Sequence, residues 1–297
     1  MSRIAFVKDA RNPGSYVPRD RAGVSIEDRG FLFSDSIYEV CEVRDGGLVD
    51  EQRHLDRYVA SLNALSLASP MPIRSLQLVL RETIRRNHVR NGVLYFQVTR
   101  GAARRDHAFP DPPVQATLTV FVTPVNTTVR DARAAAGVEV KTLPDDRWTR
   151  RDIKSTSLLP NVLAKQAARE AGAYEAWLVD KAGFITEGSS TNAWIVTDTG
   201  TIVTRPLSED ILPGISRSIV LDAAASLQIP VEERVFTVAE AKAAAEAFLS
   251  SSSAVLFPVV GIDGVAVGGG EAGPVTLRLR AFSRAISQVS GAQLPSI

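Results

Sequence analysis

Two segments, DIKSTS at 152–157 and TEGSSTN at 186–192, decide the fold that we expect for this chain. The first places Lys154 among small hydroxyl residues, and the second places Glu187 where a strand meets a turn rich in glycine and serine. A lysine amine forms Schiff bases with carbonyl cofactors, and a carboxylate can keep a pyridine nitrogen protonated. Together the two segments therefore indicate a pyridoxal phosphate enzyme.

The composition is that of an ordinary globular protein with no overall preference for an anionic partner. The 297 residues suffice for one large domain or two of ordinary size. Hydrophobic residues make up 45%, charged residues 23%, and the net charge is +1, so neither nucleic acid nor a membrane surface is favoured. The single cysteine, Cys41, cannot form an internal disulfide, which suits the cytoplasm. We expect neither a signal peptide nor a membrane span.

The first 123 residues predict a small N-terminal α/β domain. Apolar residues at helical spacing predict two helices, at 52–66 and 73–88. Runs dense in β-branched and aromatic residues predict the strands. These strands are expected at 3–8, 27–33, 38–44, 93–100 and 115–123.

A polar segment that begins with proline, at 124–133, is the predicted interdomain linker, and 134–297 is the predicted larger C-terminal domain, which would carry most cofactor contacts. Strands are expected there at 138–143, 174–180, 193–204, 247–250 and 254–260, and helices at 160–172, 215–228, 237–246 and 274–290. This mixture predicts an α+β protein of two domains.

Three further patterns indicate sites for anions. A phosphate needs an arginine, hydroxyls or a helix N-terminus. PGIS at 213–216 opens a predicted helix, and four serines at 250–253 lie between two apolar runs, where buried hydroxyls would need partners. RRDH at 104–107 sets guanidinium groups beside an imidazole, which suits a substrate carboxylate. The three histidines and the cysteine show no spacing typical of metal ligands, so no metal is expected.

The chain resembles the fold-type IV pyridoxal phosphate enzymes (class IV aminotransferases) over nearly its whole length, and most closely the D-amino acid aminotransferases. The motifs that carry the resemblance are EDRGFLFSDSIYEV at 27–40, HLDR at 54–57, YFQVTRG at 95–101, RWTRRDIKSTSLLPNVLAKQAAREAG at 147–172, ITEGSSTNAWIV at 185–196 and LPGISR at 212–217. They are long, and their order matches that of the family.

The resemblance implies a role for each candidate residue. Lys154 would hold pyridoxal 5'-phosphate as a Schiff base and move a proton, while Glu187 would pair with the pyridine nitrogen. The residues expected at the phosphate and the ring are Arg57, Ile215, Ser216, Ser251 or Ser252, and Leu212. Those expected at the substrate carboxylate are Tyr38, Arg105 and His107.

The activity implied by the resemblance is transamination of D-amino acids with 2-oxo acids by a homodimer. Alternatives on the same fold are aminodeoxychorismate lyase, an (R)-selective amine transaminase and a branched-chain L-aminotransferase. Arg105 and His107 favour a substrate that carries a carboxylate. Two other classes are a non-catalytic binding protein, which Lys154 and Glu187 argue against, and a nicotinamide oxidoreductase. The latter rests only on the glycines at 268–273, after which too little chain remains for a βαβ unit.

Overall fold

The computed structural model describes residues 3–252 and 255–290, and the chain forms two compact units. Within the described residues, the first unit comprises 3–126, the short segment Ile153–Ser157 and the segment 288–290. The second comprises Thr127–Asp152 and Leu158–Ser287. The predicted boundary assigns everything after residue 133 to the C-terminal domain, so both later segments of the first unit differ from it. They join that unit because each is paired to its strands.

The first unit is an antiparallel sheet covered by helices. Its strands are β1 (Ile4–Lys8), β2 (Ser15–Pro18), β3 (Ser36–Arg44), β4 (Gly47–Val49), β5 (Gly92–Thr99), β6 (Thr117–Pro124) and the last strand of the chain, β16 (Val289–Ser290). Its helices are α1 (Arg29–Phe33), α2 (Glu51–Ala64) and α3 (Ile73–Arg86), with a 3-10 turn at Arg19–Arg21. The sheet order is β16-β4-β3-β5-β6-β1-β2. Most of its core consists of α2 and α3 residues packed on inward-facing residues of β3, β5 and β6.

The second unit has a larger sheet with helices interspersed. Its strands are β7 (Val138–Pro144), β8 (Glu175–Val179), β9 (Ile185–Gly188), β10 (Asn192–Val196), β11 (Ile202–Thr204), β12 (Val231–Glu233), β13 (Glu246–Ser251), β14 (Val255–Ile262) and β15 (Val265–Ala266). Its helices are α4 (Thr127–Ala136), α5 (Leu159–Glu170), α6 (Ile215–Ser226), α7 (Val238–Ala243) and α8 (Pro274–Ile286). The sheet order is β12-β11-β10-β13-β14-β7-β8-β9, with β15 on β14.

The sheet of the second unit must curl, because β9 ends the sheet and β10 lies near its opposite edge, yet the two are consecutive in the chain. The turn between them is tight: the Gly188 amide donates to the Thr191 carbonyl at 2.6 Å. A Cβ at Gly188 would collide with the Thr191 hydroxyl, so glycine is required there. This turn fixes the position of Glu187.

The predicted strand at 27–33 is wrong, because Arg29–Phe33 forms helix α1. Asp28 caps the helix by accepting a hydrogen bond from the Gly30 amide at 2.8 Å. The same carboxylate accepts hydrogen bonds from the hydroxyls of Thr99 and Thr117, at 2.9 and 2.8 Å. These polar anchors lie far along the chain and outweigh the local apolar pattern.

The predicted linker at 124–133 overlaps helix α4, Thr127–Ala136, and its role as a linker stays a prediction. Arg130 and Ala134 are buried one helical turn apart, and Ala134 belongs to the core of the second unit. The predicted strand at 193–204 is two strands, β10 and β11, joined by a turn in which Gly200 has a φ of 81°. The predicted helix at 237–246 ends at Ala243, since Glu246 already pairs with Val196 in the sheet.

The other predicted helices and strands are confirmed in type, with ends shifted by a few residues. Part of the last predicted helix, 287–290, is instead the segment that contains β16, which pairs with β4. Among the described residues, no helix is both long enough and apolar enough to cross a bilayer.

Replacement of the Asp28 cap tests the correction at 27–33. We expect Asp28→Ala to lower the free energy of unfolding by about 2–4 kcal/mol, since it removes a helix cap and leaves two buried threonine hydroxyls without an acceptor. Urea unfolding followed by circular dichroism measures this loss. Glu27→Ala, an exposed neighbour, is the control and should change stability by less than about 0.5 kcal/mol. Equal effects of the two substitutions would contradict the anchoring role of Asp28.

Candidate active site

Lys154 lies beside β3 in the first unit. The segment 153–157 runs along the start of that strand: the Tyr38 amide donates to the Lys154 carbonyl at 3.0 Å, and the Thr156 amide donates to the Ser36 carbonyl at 3.2 Å. The Lys154 amine lies 4.4 Å from the centre of the Tyr38 ring. No carboxylate of the described residues lies within ion-pair distance of this amine. The amine is therefore available to react with a carbonyl group.

Arg57 is held by a carboxylate that is completely buried. Glu39 of β3 accepts two hydrogen bonds from the Arg57 guanidinium, both at 2.8 Å, and its Oε2 lies 2.7 Å from Nδ1 of His54. Burial alone would raise the pKa of Glu39, but the Arg57 charge and the hydrogen bonds from Arg57 and His54 outweigh it, so the pKa is lowered. Glu39 thus stays ionised and fixes the plane of the arginine.

The fold also brings Cys41 to within 4.8 Å of donor atoms of Glu39 and His54, a set that could in principle hold a metal ion. Spacing along the chain gave no sign of this cluster, because the residues come from β3 and α2. Its chemistry does not suit a metal: both Glu39 oxygens and His54 Nδ1 are already engaged. Burial and the neighbouring Glu39 raise the pKa of the Cys41 thiol, which keeps it protonated. We interpret the cluster as the support of Arg57.

Glu187 is the buried carboxylate of the second unit. Its Oε1 accepts a hydrogen bond from Arg147, while its Oε2 accepts one from the Asn192 side-chain amide at 2.9 Å and one from the Leu212 backbone amide at 3.1 Å. Burial raises the pKa of Glu187, and the positive charge of Arg147 offsets only part of that effect. A buried carboxylate of this kind favours a cationic partner.

The start of α6 is suited to bind an anion. No side chain caps this helix, so the backbone amides of its first turn, which includes Ile215 and Ser216, are open to a ligand. The residue before it, Gly214, lies so close to the Asn192 side chain that a Cβ would collide with its oxygen. The amide of Leu212, two residues earlier, bonds to Glu187, so the residue predicted at the cofactor ring lies directly beside the predicted partner of its nitrogen.

The serines of the run at 250–253 have different environments. The Ser250 hydroxyl accepts a hydrogen bond from the Trp194 indole at 2.9 Å and is therefore committed to the core. Ser251 ends β13 and Ser252 follows it, both half-buried. Ser253 lies outside the described residues. The phosphate role predicted for Ser251 or Ser252 stays a prediction.

The three residues predicted at the substrate carboxylate all belong to the first unit. Tyr38 lies beside Lys154 and stacks on Tyr95 at 5.5 Å between ring centres. Arg105 and His107 are exposed, and both lie next to Phe33, at 5.3 and 5.4 Å from its ring centre. In the described part of the chain no hydrogen bond, ion pair or ring contact joins Tyr38 to either of them. Their shared role stays a prediction.

Two supporting residues were missed by the sequence analysis. Glu39 directly follows Tyr38 in the SIYEV strand, and Arg147 opens the RWTRRDIKS segment, but neither motif shows which side chain each will meet. The available signal was a carboxylate set between apolar residues of a predicted strand. Such a residue is rarely buried without a cationic partner.

The residues of the two units match the chemical demands of pyridoxal phosphate. Lys154 offers an amine for its carbonyl carbon, Glu187 a buried carboxylate for its ring nitrogen, and the α6 N-terminus an anion site for its phosphate. These are the chemical groups that an enzyme of the pyridoxal phosphate class needs.

Comparisons with known proteins specify the class further. The model of the family "Amino-transferase class IV" matches residues 36–262. The D-alanine aminotransferase of Staphylococcus haemolyticus is 39% identical over 267 residues, which cover 90% of this chain and 93% of that protein. The D-alanine aminotransferase of Listeria monocytogenes serotype 1/2a is 37% identical over 268 residues, which cover 90% and 91%.

A solved structure agrees with the fold. The branched-chain aminotransferase of the archaeon Thermoproteus uzoniensis, determined with norvaline, superposes with a TM-score of 0.81 at 25% identity and covers 96% of this chain and 95% of its own. The chain belongs to the class IV aminotransferase family. It is a fold-type IV aminotransferase, and enzymes of this family use pyridoxal 5'-phosphate, so the predicted fold class, enzyme class and cofactor are confirmed.

The buried Glu39 gives a pH-dependent test. The pKa of Glu39 is lowered in the folded protein, so its contribution to stability is fully present above the unfolded pKa of about 4.3 and declines as the pH falls through the folded value. At neutral pH, Glu39→Gln should lower the free energy of unfolding by about 3–5 kcal/mol, because Arg57 loses its buried partner. The difference from the wild type should shrink on acidification below about pH 4.

Urea unfolding at several pH values measures this difference. The exposed substitution Glu27→Gln is the control and should show little effect at any pH. If Glu39→Gln lowers the free energy of unfolding by the same amount at neutral and at acid pH, then Glu39 contributes through packing and not through its charge.

Proposed function

We propose that this protein transfers the amino group of D-amino acids to 2-oxo acids, with D-alanine and 2-oxoglutarate as the type of substrate pair. The observation that carries the proposal is the 39% identity to a D-alanine aminotransferase over nearly the full length of both proteins. Tyr38 beside the amine of Lys154, together with Arg105 and His107, supports a substrate that bears a carboxylate.

Bound pyridoxal phosphate supplies a ring that stabilises negative charge developing at the substrate α-carbon. In the proposed roles, Lys154 binds the carbonyl carbon of the cofactor and moves the proton at the substrate α-carbon. Glu187 pairs with the ring nitrogen, and Leu212 packs against the ring. Phosphate binding is assigned to Arg57, Ile215, Ser216 and either Ser251 or Ser252. Substrate-carboxylate binding is assigned to Tyr38, Arg105 and His107.

We also propose that the protein acts as a homodimer in the cytoplasm, as the family resemblance implies. One surface supports self-association: Leu159, Val162 and Leu163 form an apolar stripe on α5, and their exposed fractions are 69, 59 and 63%. Large exposed apolar side chains at helical spacing are typical of an interface between proteins.

A branched-chain aminotransferase is the second candidate, favoured by the structural likeness to the Thermoproteus uzoniensis enzyme. The two candidates differ in the stereochemistry of the amino donor. Absorbance spectra of the holoenzyme with D-alanine, L-alanine and L-leucine separate them. We expect the cofactor spectrum to change rapidly with D-alanine only. A response to L-leucine but not to D-alanine would overturn the D-amino acid assignment and leave the aminotransferase class intact.

Substitution of Lys154 tests its proposed role in holding the cofactor. Lys154→Ala should remove the visible absorbance of the lysine-bound cofactor and abolish turnover, because no other amine would hold the cofactor carbonyl covalently. Absorbance spectroscopy and a coupled assay with D-alanine measure the two effects. Lys181→Ala, at an exposed turn, is the matched control and should retain both. Full activity of the Lys154 variant would show that the lysine is wrongly assigned.

Substitution of Arg105 tests the proposed recognition of the substrate carboxylate. A charge-assisted hydrogen bond to a carboxylate contributes about 1.5–3 kcal/mol, and its loss to a desolvated carboxylate should exceed that. Arg105→Ala should therefore lower kcat/KM for D-alanine by about 10- to 1,000-fold. Activity toward an (R)-amine without a carboxylate, measured in parallel, should fall far less. Equal losses on both substrates would mean that Arg105 supports the fold of its loop.

A further inference from the structure

Asp145, Arg147 and Glu187 form a buried chain of alternating charge in the second unit. Arg147 donates to Asp145 from Nε at 2.9 Å and from Nη2 at 2.8 Å, and it donates from Nη1 to Glu187. Their side chains are almost inaccessible, with exposed fractions of 0% for Asp145, 5% for Arg147 and 6% for Glu187. One guanidinium therefore serves two buried carboxylates.

The surrounding groups fix the ends of this chain. The Thr186 hydroxyl donates to Asp145 at 2.7 Å, and the Asp145 amide donates to the Val179 carbonyl at 2.8 Å, so Asp145 is tied to β8 and β9. The nearest other cation is Arg151, whose Nε is 3.6 Å from Asp145, but its Nη1 is bonded to Asp210 at 2.9 Å. Arg147 supplies the only guanidinium bond that Glu187 receives from the described residues.

Among the described residues Glu187 has no cation to itself. It shares Arg147 with Asp145, and the next cation, Arg151, lies at ion-pair distance from Asp145 but not from Glu187 and is also bonded to Asp210. Burying an unbalanced carboxylate is unfavourable, and the ordinary response is to take up a proton. A protonated Glu187 would accept poorly from a protonated ring nitrogen and could not balance its charge. Glu187 therefore needs a neighbouring group that keeps it ionised until a cation binds.

We propose that Arg147 is a positioning residue that keeps Glu187 ionised and oriented, so that the protonated ring nitrogen of the bound cofactor becomes the second cation of the Asp145–Arg147–Glu187 chain. The inference rests on the proposed pairing of Glu187 with the ring nitrogen. Asp145 has a complementary part: by taking two of the arginine's hydrogen bonds, it fixes the guanidinium plane and prevents Arg147 from neutralising Glu187 completely.

The protonation of the ring nitrogen tests this inference without any substrate. The wild type and its variants are loaded with pyridoxal phosphate that carries an isotope-labelled ring nitrogen, and nitrogen NMR gives its protonation state. The wild-type shift should be that of a protonated nitrogen. In Arg147→Gln it should move toward the unprotonated position, and the dissociation constant of the cofactor should rise at least about tenfold, since one electrostatic pairing is worth a factor of that order.

Two variants separate a charge effect from a structural one. Arg147→Lys keeps a cation next to Glu187 and should restore the protonated shift at least in part, although it cannot reproduce the planar fork. Arg151→Gln removes the neighbouring arginine, which has no bond to Glu187, and should leave the shift unchanged. Loss of ring protonation in Arg151→Gln, or its retention in folded Arg147→Gln, would overturn the inference.

A charge-matched double variant covers the case in which Arg147→Gln does not fold. Asp145→Asn with Arg147→Gln removes one charge of each sign and therefore leaves the net charge around Glu187 unchanged. If net charge alone held the ring nitrogen protonated, the double variant would behave like the wild type, and the inference would fail. We expect an unprotonated nitrogen and a neutral Glu187, visible by infrared spectroscopy as a carboxylic acid band that disappears when Glu187→Gln is added.

The same measurements distinguish failure of the inference from failure of the proposed roles. If Glu187→Gln leaves the ring nitrogen protonated, then Glu187 is not its partner and the proposed role is wrong. If Glu187→Gln abolishes the protonation but Arg147→Gln does not, the role stands and the inference fails. Neither result depends on a preference for D-amino acids, which is measured separately with substrates.

Discussion

The hydrogen bonds that Glu187 accepts organise the candidate site of the second unit. Its carboxylate joins β9, which carries it, to β10 through Asn192 and to the segment before α6 through the Leu212 amide. The Asn192 side-chain amide also donates to the Leu212 carbonyl at 3.1 Å, so Glu187 and Asn192 together hold both backbone polar groups of Leu212. The start of α6, and with it the anion site, therefore takes its position from one buried carboxylate.

A second buried carboxylate shows what distinguishes Glu187. Glu39 receives a two-bond contact from Arg57 and a further bond from His54, and its pKa is lowered despite full burial. Glu187 is also fully buried, but it shares its arginine with Asp145, and its pKa is raised. The first carboxylate forms a closed ion pair that supports structure. The second is left with a demand for positive charge, which is the property that a partner of a pyridine nitrogen needs.

The sequence predicts those parts of the fold in which the local pattern and the tertiary environment agree. The helices at 52–66 and 73–88 are amphipathic, and most of their apolar residues are buried as expected, although Val59 and Leu78 are exposed. The prediction at 27–33 fails because Asp28 caps a helix and meets threonines more than 70 residues away in the chain. The polar segment at 124–133 gave no sign of helix α4, whose residue Ala134, just beyond that segment, belongs to the core of the second unit. Periodicity cannot show such distant partners.

The same holds for the candidate site: its local features could be predicted from the sequence, and its distant partners could not. Lys154 and Glu187 could be selected from their immediate neighbours, since the unusual feature of each is local. Arg147 could not, because its partner lies 40 residues further along the chain, and the separation of 18 positions between Glu39 and Arg57 likewise hides their ion pair. The family resemblance identified residues that are expected to touch the ligand. Side chains that hold those residues become visible only when the chain is folded.

The short helix α1, where a strand was predicted, also supports the residues proposed to select the substrate. Arg29, the first residue of α1, is buried and donates to the backbone carbonyls of Asp106, His107 and Ala108. Phe33, at the end of the same helix, contacts Arg105 and His107. The exposed loop is therefore anchored through its backbone to one buried arginine, and its side chains are free to vary without disturbing the core. Under the roles proposed for Arg105 and His107, substrate preference would depend on side chains on which the core does not depend, and it could differ among proteins that share the fold.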